Sequence, residues 1–533
     1  MDRSLFLDDW HIARMQGLER CAHAAERYLG NPLIVKEFPW EMGRLQLFSH
    51  SVVYNEERRL FQMFYMAQPV GADHPNIRVG GNVKIGNATL PAYAESTDGV
   101  RWYRPLRSDV GFEDITQTNL LDLHMGQSYE PGILWDPHDP DPQRRYKALI
   151  WDQQYDMPLP GKWGYLREPD VGSSITFSAI KQILDDDGKV VFEQLYNDWG
   201  LRVAFSHDGI HWTKYPGWVM WCYCDGGTSP FYDTRLGKYV AFGRFNKQEA
   251  HGIYSTPDES PERRSGGGAF YYIGRNISRI ESTDFIHWSE PEMVLTVDDK
   301  DPEGLQINTM PVDLYEGIYV GLIELDIRPQ PAHFAAADIS KYPGRGPVRP
   351  FPMQLAMSRD GRRWTRVADR FAFLDKPDDE GAWDQRGPTG YVRPATGLFV
   401  YNDRVRFYYS AGPTKEENYQ LGIGMASWRR DGFVSLHAGP DGGELLTRSF
   451  ISDGPELHLN IDASQGEATV RVCDLQGYPV PSWTVSQSSQ PIRGDHVDTV
   501  VRWEDGDLGE KMGKPITVRV QMKNADIYSL WTA

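Results

Sequence analysis

Short apolar runs separated by polar turns recur along most of the chain, without the long amphipathic stretches of helices. Three units pair an apolar strand with an aromatic-rich one: Ser51-Val-Val-Tyr54 with Phe61-Gln-Met-Phe-Tyr65, Gly132-Ile-Leu-Trp135 with Tyr146-Lys-Ala-Leu-Ile150, and Ser229-Pro-Phe-Tyr232 with Lys238-Tyr-Val-Ala-Phe242. A fourth joins Met310-Pro-Val to Ile318-Tyr-Val-Gly-Leu322. The fifth joins Pro394-Ala-Thr-Gly-Leu-Phe-Val-Tyr401 to Val405-Arg-Phe-Tyr-Tyr409. After Ala438-Gly-Pro-Asp-Gly-Gly443 the pattern changes. Leu457-His-Leu-Asn-Ile461, Ala468-Thr-Val-Arg-Val472, Thr499-Val-Val-Arg-Trp503 and Ile516-Thr-Val-Arg-Val-Gln521 alternate apolar and polar positions, as half-buried strands do.

A turn motif follows the first four strand pairs: Ser96-Thr-Asp98-Gly-Val-Arg-Trp102, Ser206-His-Asp208-Gly-Ile-His-Trp212, Ser282-Thr-Asp284-Phe-Ile-His-Trp288 and Ser358-Arg-Asp360-Gly-Arg-Arg-Trp364. The tryptophans are 110, 76 and 76 residues apart, and Met425-Ala-Ser-Trp-Arg-Arg-Asp-Gly-Phe433 is a degraded fifth copy. Ser and Asp can bond nearby backbone, Gly relaxes the turn, and Trp supplies a packing plate. One supersecondary unit used five times predicts an all-β fold, a five-bladed β-propeller over residues 1–438 with a C-terminal β-sandwich over 439–533. The expected blades span 42–110, 125–216, 222–292, 303–368 and 385–434, with Leu5 to Ile34 closing the last sheet. Ala72 to Leu90 and Tyr155 to Asp187 read as surface loops able to wall a pocket.

Charge narrows the partners. With 74 acidic against 56 basic residues, the net charge of -18 opposes nucleic-acid binding, and a neutral, polar small molecule or oligomer is the easier ligand. No membrane span is expected, and homo-oligomerisation is left open. Residues Met1 to Trp10 lack the pattern of a signal peptide, so the expected compartment is the cytoplasm if this start is native. Otherwise it is the periplasm or the exterior after removal of such a peptide. Cys21, Cys222, Cys224 and Cys473 form no disulfide framework. No cofactor is expected, although ligands from separate blades could hold an axial metal.

Glycoside cleavage needs two carboxyls, which a propeller would supply from different blades near the starts of the innermost strands. Glu41, Glu130 and Asp225 satisfy that condition as catalytic candidates, with Glu303 and Glu324 in reserve. His50, His124, Arg244, Arg279, Asn308 and Arg393 stand at equivalent places and are candidates for holding substrate. For each arginine, pairing between blades is an equal expectation.

This order of units resembles the five-bladed furanosidase superfamily that includes glycoside hydrolase families 32 and 43. Leu5-Phe-Leu-Asp-Asp-Trp10, Asn31-Pro-Leu and Pro39-Trp-Glu41 look like an uncharacterised bacterial family-32-like group, over about residues 5–435. Gly454-Pro-Glu-Leu-His-Leu-Asn460 and Lys523-Asn-Ala-Asp-Ile-Tyr528 look like that group's appended sandwich. The resemblance implies a bacterial source, and roles for Glu41, Glu130 and Asp225 in hydrolysing a fructofuranoside, an arabinofuranoside or another small glycoside. Family 32's Trp-Met-Asn-Asp-Pro-Asn-Gly, Arg-Asp-Pro and Glu-Cys signatures are absent here. The alternatives are a glycoside phosphorylase, needing a phosphate pocket of arginines such as Arg244, Arg279 and Arg393, and a non-catalytic carbohydrate-binding propeller.

Overall fold

The computed structural model describes residues 3–70, 76–79, 82–85, 89–124, 129–153, 163–165, 179–184, 190–196, 199–217, 219–220, 222, 224, 227–245, 275–302, 305–327, 349–375, 377, 382–384, 391–412, 422–504 and 506–533. Asp225 and Glu303 lie outside these residues.

Five antiparallel blades follow one another along the chain. Blade one has an interrupted inner strand, Arg44–Gln46 and Val52–Asn55, followed by Leu60–Gln68 and Leu90–Ser96. Blade two is Tyr129–Trp135, Tyr146–Gln153, Trp199–Ser206 and Trp212–Lys214; blade three is Ser229–Asp233, Lys238–Gly243, Ile277–Ser282 and Glu292–Leu295. Blade four comprises Leu305–Thr309 with Val312–Tyr315, then Ile318–Ile327, Arg349–Ser358 and Thr365–Arg366. Blade five, Tyr391–Tyr401, Arg404–Gly412 and Gly422–Arg429, takes its outer strand from the other end of the chain, where Glu26–Arg27 pairs with Gly422–Arg429. That exchange ties first and last parts of the ring together and covers an edge that would otherwise present unpaired backbone.

The repeated turn is built alike in its four full copies. In the second, Ser206 Oγ accepts the Gly209 N–H at 2.9 Å, and Asp208 Oδ1 accepts the N–H groups of Ile210 and His211 at 2.8 and 2.9 Å. Burial alone would raise the Asp208 pKa, but these bonds outweigh it and hold the carboxyl down to about 2. Position four of the turn is left-handed, with φ of 71° at Gly99, 82° at Gly209 and 71° at Gly361; Phe285 adopts 67° without being glycine.

Each turn docks on the preceding blade. Tyr408 of blade five donates to the Gly99 carbonyl of blade one at 2.8 Å, and Gly209 of blade two faces Phe64 of blade one. Phe285 of blade three stacks edge-on with Phe205 of blade two. The degraded fifth copy obeys the same rule, with Asp431 accepting the Tyr315 hydroxyl of blade four at 2.6 Å. The apolar clusters of the propeller span successive blades, so the turns pin the seams where much of its core surface is buried.

The expected sandwich takes the form of one ten-stranded sheet rolled almost into a barrel. Its longest strand, Leu457–Cys473, pairs with Ile492–Val500, Pro515–Lys523 and Ala525–Thr532. Ile12–Gln16 and Leu18–Ala22, from the start of the chain, lie at the two ends of its strand order.

The long insertions differ from simple loops. Asn76–Val79 and Asn82–Ile85 form a sheet with Val110–Phe112, and Trp163–Tyr165 and Ala179–Leu184 form another with Val190–Tyr196. Runs of three to seven residues are too short for their alternation to stand out in Gly- and Pro-rich sequence. Among the described residues no helix is long and apolar enough to cross a membrane.

Candidate active site at the propeller axis

Blades that are not neighbours in a five-membered ring can touch only through its centre. Three such contacts locate the axis. Arg393 of blade five reaches Glu130 of blade two at 3.2 Å, Ser49 of blade one bonds Thr309 of blade four at 2.7 Å, and His50 of blade one faces Asp313 of blade four at 3.6 Å.

Strand irregularities aim the acids inward. Tyr129 faces Trp151 and Gly132 faces Leu149, so Glu130 and Pro131 are squeezed opposite one residue. Glu130 there has a φ of 48°, a left-handed conformation that costs free energy for a side chain of its kind. Glu324 sits where the ladder slips on both sides, between Ile307 and Thr309 on one neighbour and between Gln354 and Phe351 on the other. Such bulges re-aim a side chain that regular pleating would point into a seam.

The resulting group is compact and buried. Arg393 stands between two carboxylates, with Nη1 3.2 Å from Glu130 Oε1 and Nε 3.3 and 3.0 Å from the two oxygens of Glu324. Glu130 also accepts the N–H of Gly227 in blade three. Glu324 Oε1 accepts Asn308 Nδ2 at 2.8 Å, while its Oε2, although beside Arg393, has no aligned hydrogen bond among the described residues. Arg275 donates to Asn308 Oδ1 and lies 3.7 Å from Asp326. Glu130, Glu324 and Arg393 are only 5, 3 and 9% exposed. Because both glutamates touch one guanidinium, their nearest carboxyl oxygens fall within the upper limit of about 9.5 Å for glycosidase pairs.

Glu41, a leading candidate by sequence, has a different job. It is fully buried within blade one, where its carboxylate accepts the N–H groups of Glu37 and Phe38, the Tyr65 hydroxyl at 2.6 Å and Arg104 at 2.9 Å. Burial would lower the Arg104 pKa, but the Glu41 charge reverses this and raises it, while burial and that same charge push the Tyr65 phenol well up. The acceptor directions of Glu41 are thus engaged by donors of blade one and its entry segment, an arrangement that supports a structural role.

The other expected residues divide. Asn308 and Arg393 belong to the axial group, and His50 stands at the axis 3.6 Å from Asp313, with its Nδ1 donating to the Ile133 carbonyl at 3.0 Å. Arg244 is buried at the end of Lys238–Gly243, five residues past Tyr239, the place Glu324 occupies past Tyr319 in blade four. Arg279 lies in a seam, where it pairs with Glu281 and packs on Gly361 of the next blade's turn. His124 lies mostly outside the core, paired with Asp122 at 3.0 Å. Asp326 and Asp313 were not singled out by sequence. The legible sign was Glu324-Leu-Asp326, two acids within an otherwise apolar strand, where burial is costly without partners. Among the described residues no group of three or more His, Cys, Asp or Glu side chains could hold a metal ion.

No family model and no curated protein matches the chain. Solved structures do match. A glycosyl hydrolase from Bacteroides ovatus is 13% identical, with 77% of this chain and 94% of that one covered and a TM-score of 0.38. The β-1,2-mannobiose phosphorylase from Listeria innocua, solved with β-1,2-mannobiose, is 10% identical, with 77% and 98% covered and a TM-score of 0.39. Neither name mentions a furanosidase.

Proposed function

We propose that this chain cleaves a small glycoside or a chain-end sugar, using Glu130 and Glu324 as its carboxyl pair. The observation that carries this reading is Arg393, one guanidinium held between two buried glutamates from different blades at the axis. Glycosidic cleavage needs one carboxyl to protonate the leaving oxygen and another to attack the sugar or activate water. Arg393 holds both carboxyls in fixed directions, as a reaction that divides proton donation and attack between them requires. Asp225, between Cys224 and the Gly227 that bonds Glu130, remains the proposed third acid, and furanosides remain among the proposed substrates.

The test is release of sugar from a panel of 4-nitrophenyl furanosides and pyranosides and unlabelled disaccharides, β-1,2-mannobiose included, with and without inorganic phosphate. The expected result is phosphate-independent turnover that Glu130→Gln and Glu324→Gln each reduce at least about 1,000-fold. Turnover that requires phosphate would replace hydrolysis by phosphorolysis at the same pair. Unchanged turnover in both variants would remove the pair, and a wild type that binds sugars without turning any over would make the propeller a binding module.

A further inference from the structure

We infer that Asn308 and Arg275 form a positioning relay for Glu324, an inference that rests on the proposed role of Glu324 as a reacting carboxyl. The relay runs through three groups of complementary chemistry. Arg275, from the start of the third strand region of blade three, has only donors to offer; the carboxylate of Glu324 has only acceptors. Asn308 stands between them with its Oδ1 toward Arg275 and its Nδ2 2.8 Å from Glu324 Oε1. Its two neighbours therefore dictate which way the amide faces, and the reversed amide would meet a donor with a donor and an acceptor with an acceptor.

Local backbone geometry puts the amide there. Ile307 faces Leu325 and Thr309 faces Glu324, so Asn308 is the extra residue of a bulge and lies beside Glu324. Asp326 stands 3.7 Å from Arg275, and Gln306, directly across from Asp326, places the bulge in the same register. Asn308, Glu324 and Asp326 are all buried, so little solvent is present to replace a lost bond. Glu324 is thereby held from two directions, by Arg393 of blade five and by Asn308, which carries the reach of blade three. Both polar ends of the Asn308 amide have protein partners, which supports a positioning role in place of the expected one as a sugar ligand.

The test uses kcat and KM of the full chain on the 4-nitrophenyl glycoside that the wild type turns over fastest, for Asn308→Ala, Arg275→Gln and the double variant. Asn308→Ala is expected to lower kcat about 10- to 100-fold with KM within about threefold, because it misplaces a reacting group without touching the sugar. Arg275→Gln should lower kcat less. The double variant should be no worse than Asn308→Ala, since a broken relay has nothing further to transmit. A rise in KM at constant kcat would make Asn308 a sugar ligand and overturn the relay, as would independent, multiplicative effects of the two substitutions. Should Asn308→Ala fail to fold, the split between kcat and KM in Arg275→Gln decides the matter alone. Glu324→Gln, measured alongside, separates the levels. If it retains wild-type turnover, the carboxyl pair and the relay fall together; if it is inactive while Asn308→Ala and Arg275→Gln behave as wild type, only the relay falls.

Discussion

Two buried carboxylate–arginine groups stand near the starts of inner strands, and they are built on opposite principles. At Glu41 one carboxylate meets Arg104, a phenol and two backbone N–H groups, all supplied by blade one and its entry segment. At the axis one arginine must serve two glutamates from blades two and four, on a bulged and partly left-handed backbone. The first arrangement balances donors against acceptors and fastens a turn. The second draws carboxylates of two blades onto one arginine of a third, and it retains strain that a purely structural pair would have no reason to keep. Burial and a nearby arginine are common to both, so neither feature marks a reacting group. The difference lies in whether the contact crosses the ring and whether the backbone beneath it is strained.

Substitutions can break this comparison at several depths. The largest expected effect is on turnover: Glu324→Gln should reduce kcat at least about 1,000-fold on a panel substrate while the thermal midpoint stays within a few degrees. Glu41→Gln should act on stability instead, costing about 3 kcal/mol in chemical denaturation because Arg104 is left buried beside a neutral amide. Next in size is a seam. Gly209→Ala places a Cβ in a left-handed turn, 3.1 Å from Phe64 of the neighbouring blade, and should cost about 1 to 2 kcal/mol with activity per folded molecule intact.

The smallest effect is a pH dependence. The Asp208 carboxyl titrates near 2 in the folded chain against roughly 3.9 unfolded, so its contribution is present above about pH 4 and lost as pH falls toward 2. Asp98, Asp284 and Asp360 are shifted in the same direction: burial opposes the shift, and bonds from their own turns overcome it. Denaturation midpoints measured from pH 5 to pH 2 should therefore fall, and fall less steeply in Asp208→Asn. Parallel slopes would remove Asp208 from the acid response.

What was legible in the sequence follows from the range of the contacts. The Ser-x-Asp turn closes on itself within three residues, so its chemistry is written in adjacent letters and the five-fold repeat announces the ring. Even Asp431 can be found this way, although its partners Arg3, Tyr315, Asn460 and Ser529 come from distant parts of the chain. The axial group has no such local signature. Arg393 and Glu130 are 263 residues apart, and Arg393 and Glu324 are 69 apart. Spacing could nominate them singly but not join them. Glu41 shows the same limit: its position before an inner strand is visible in the sequence, while Arg104, 63 residues later, is not recognisable as its partner. For Glu324 the surrounding Leu322-Ile-Glu-Leu is an apolar strand, and only the bulge on each side turns the side chain toward the axis.

The most direct measurement compares Glu130→Gln with Glu41→Gln on one glycoside, with rates normalised to the folded fraction of each protein. The account predicts at least about a 1,000-fold loss for Glu130→Gln and a rate within a few-fold of wild type for Glu41→Gln. Full activity in Glu130→Gln, or an equal loss in folded Glu41→Gln, would contradict the assignment of the reacting centre to the axis.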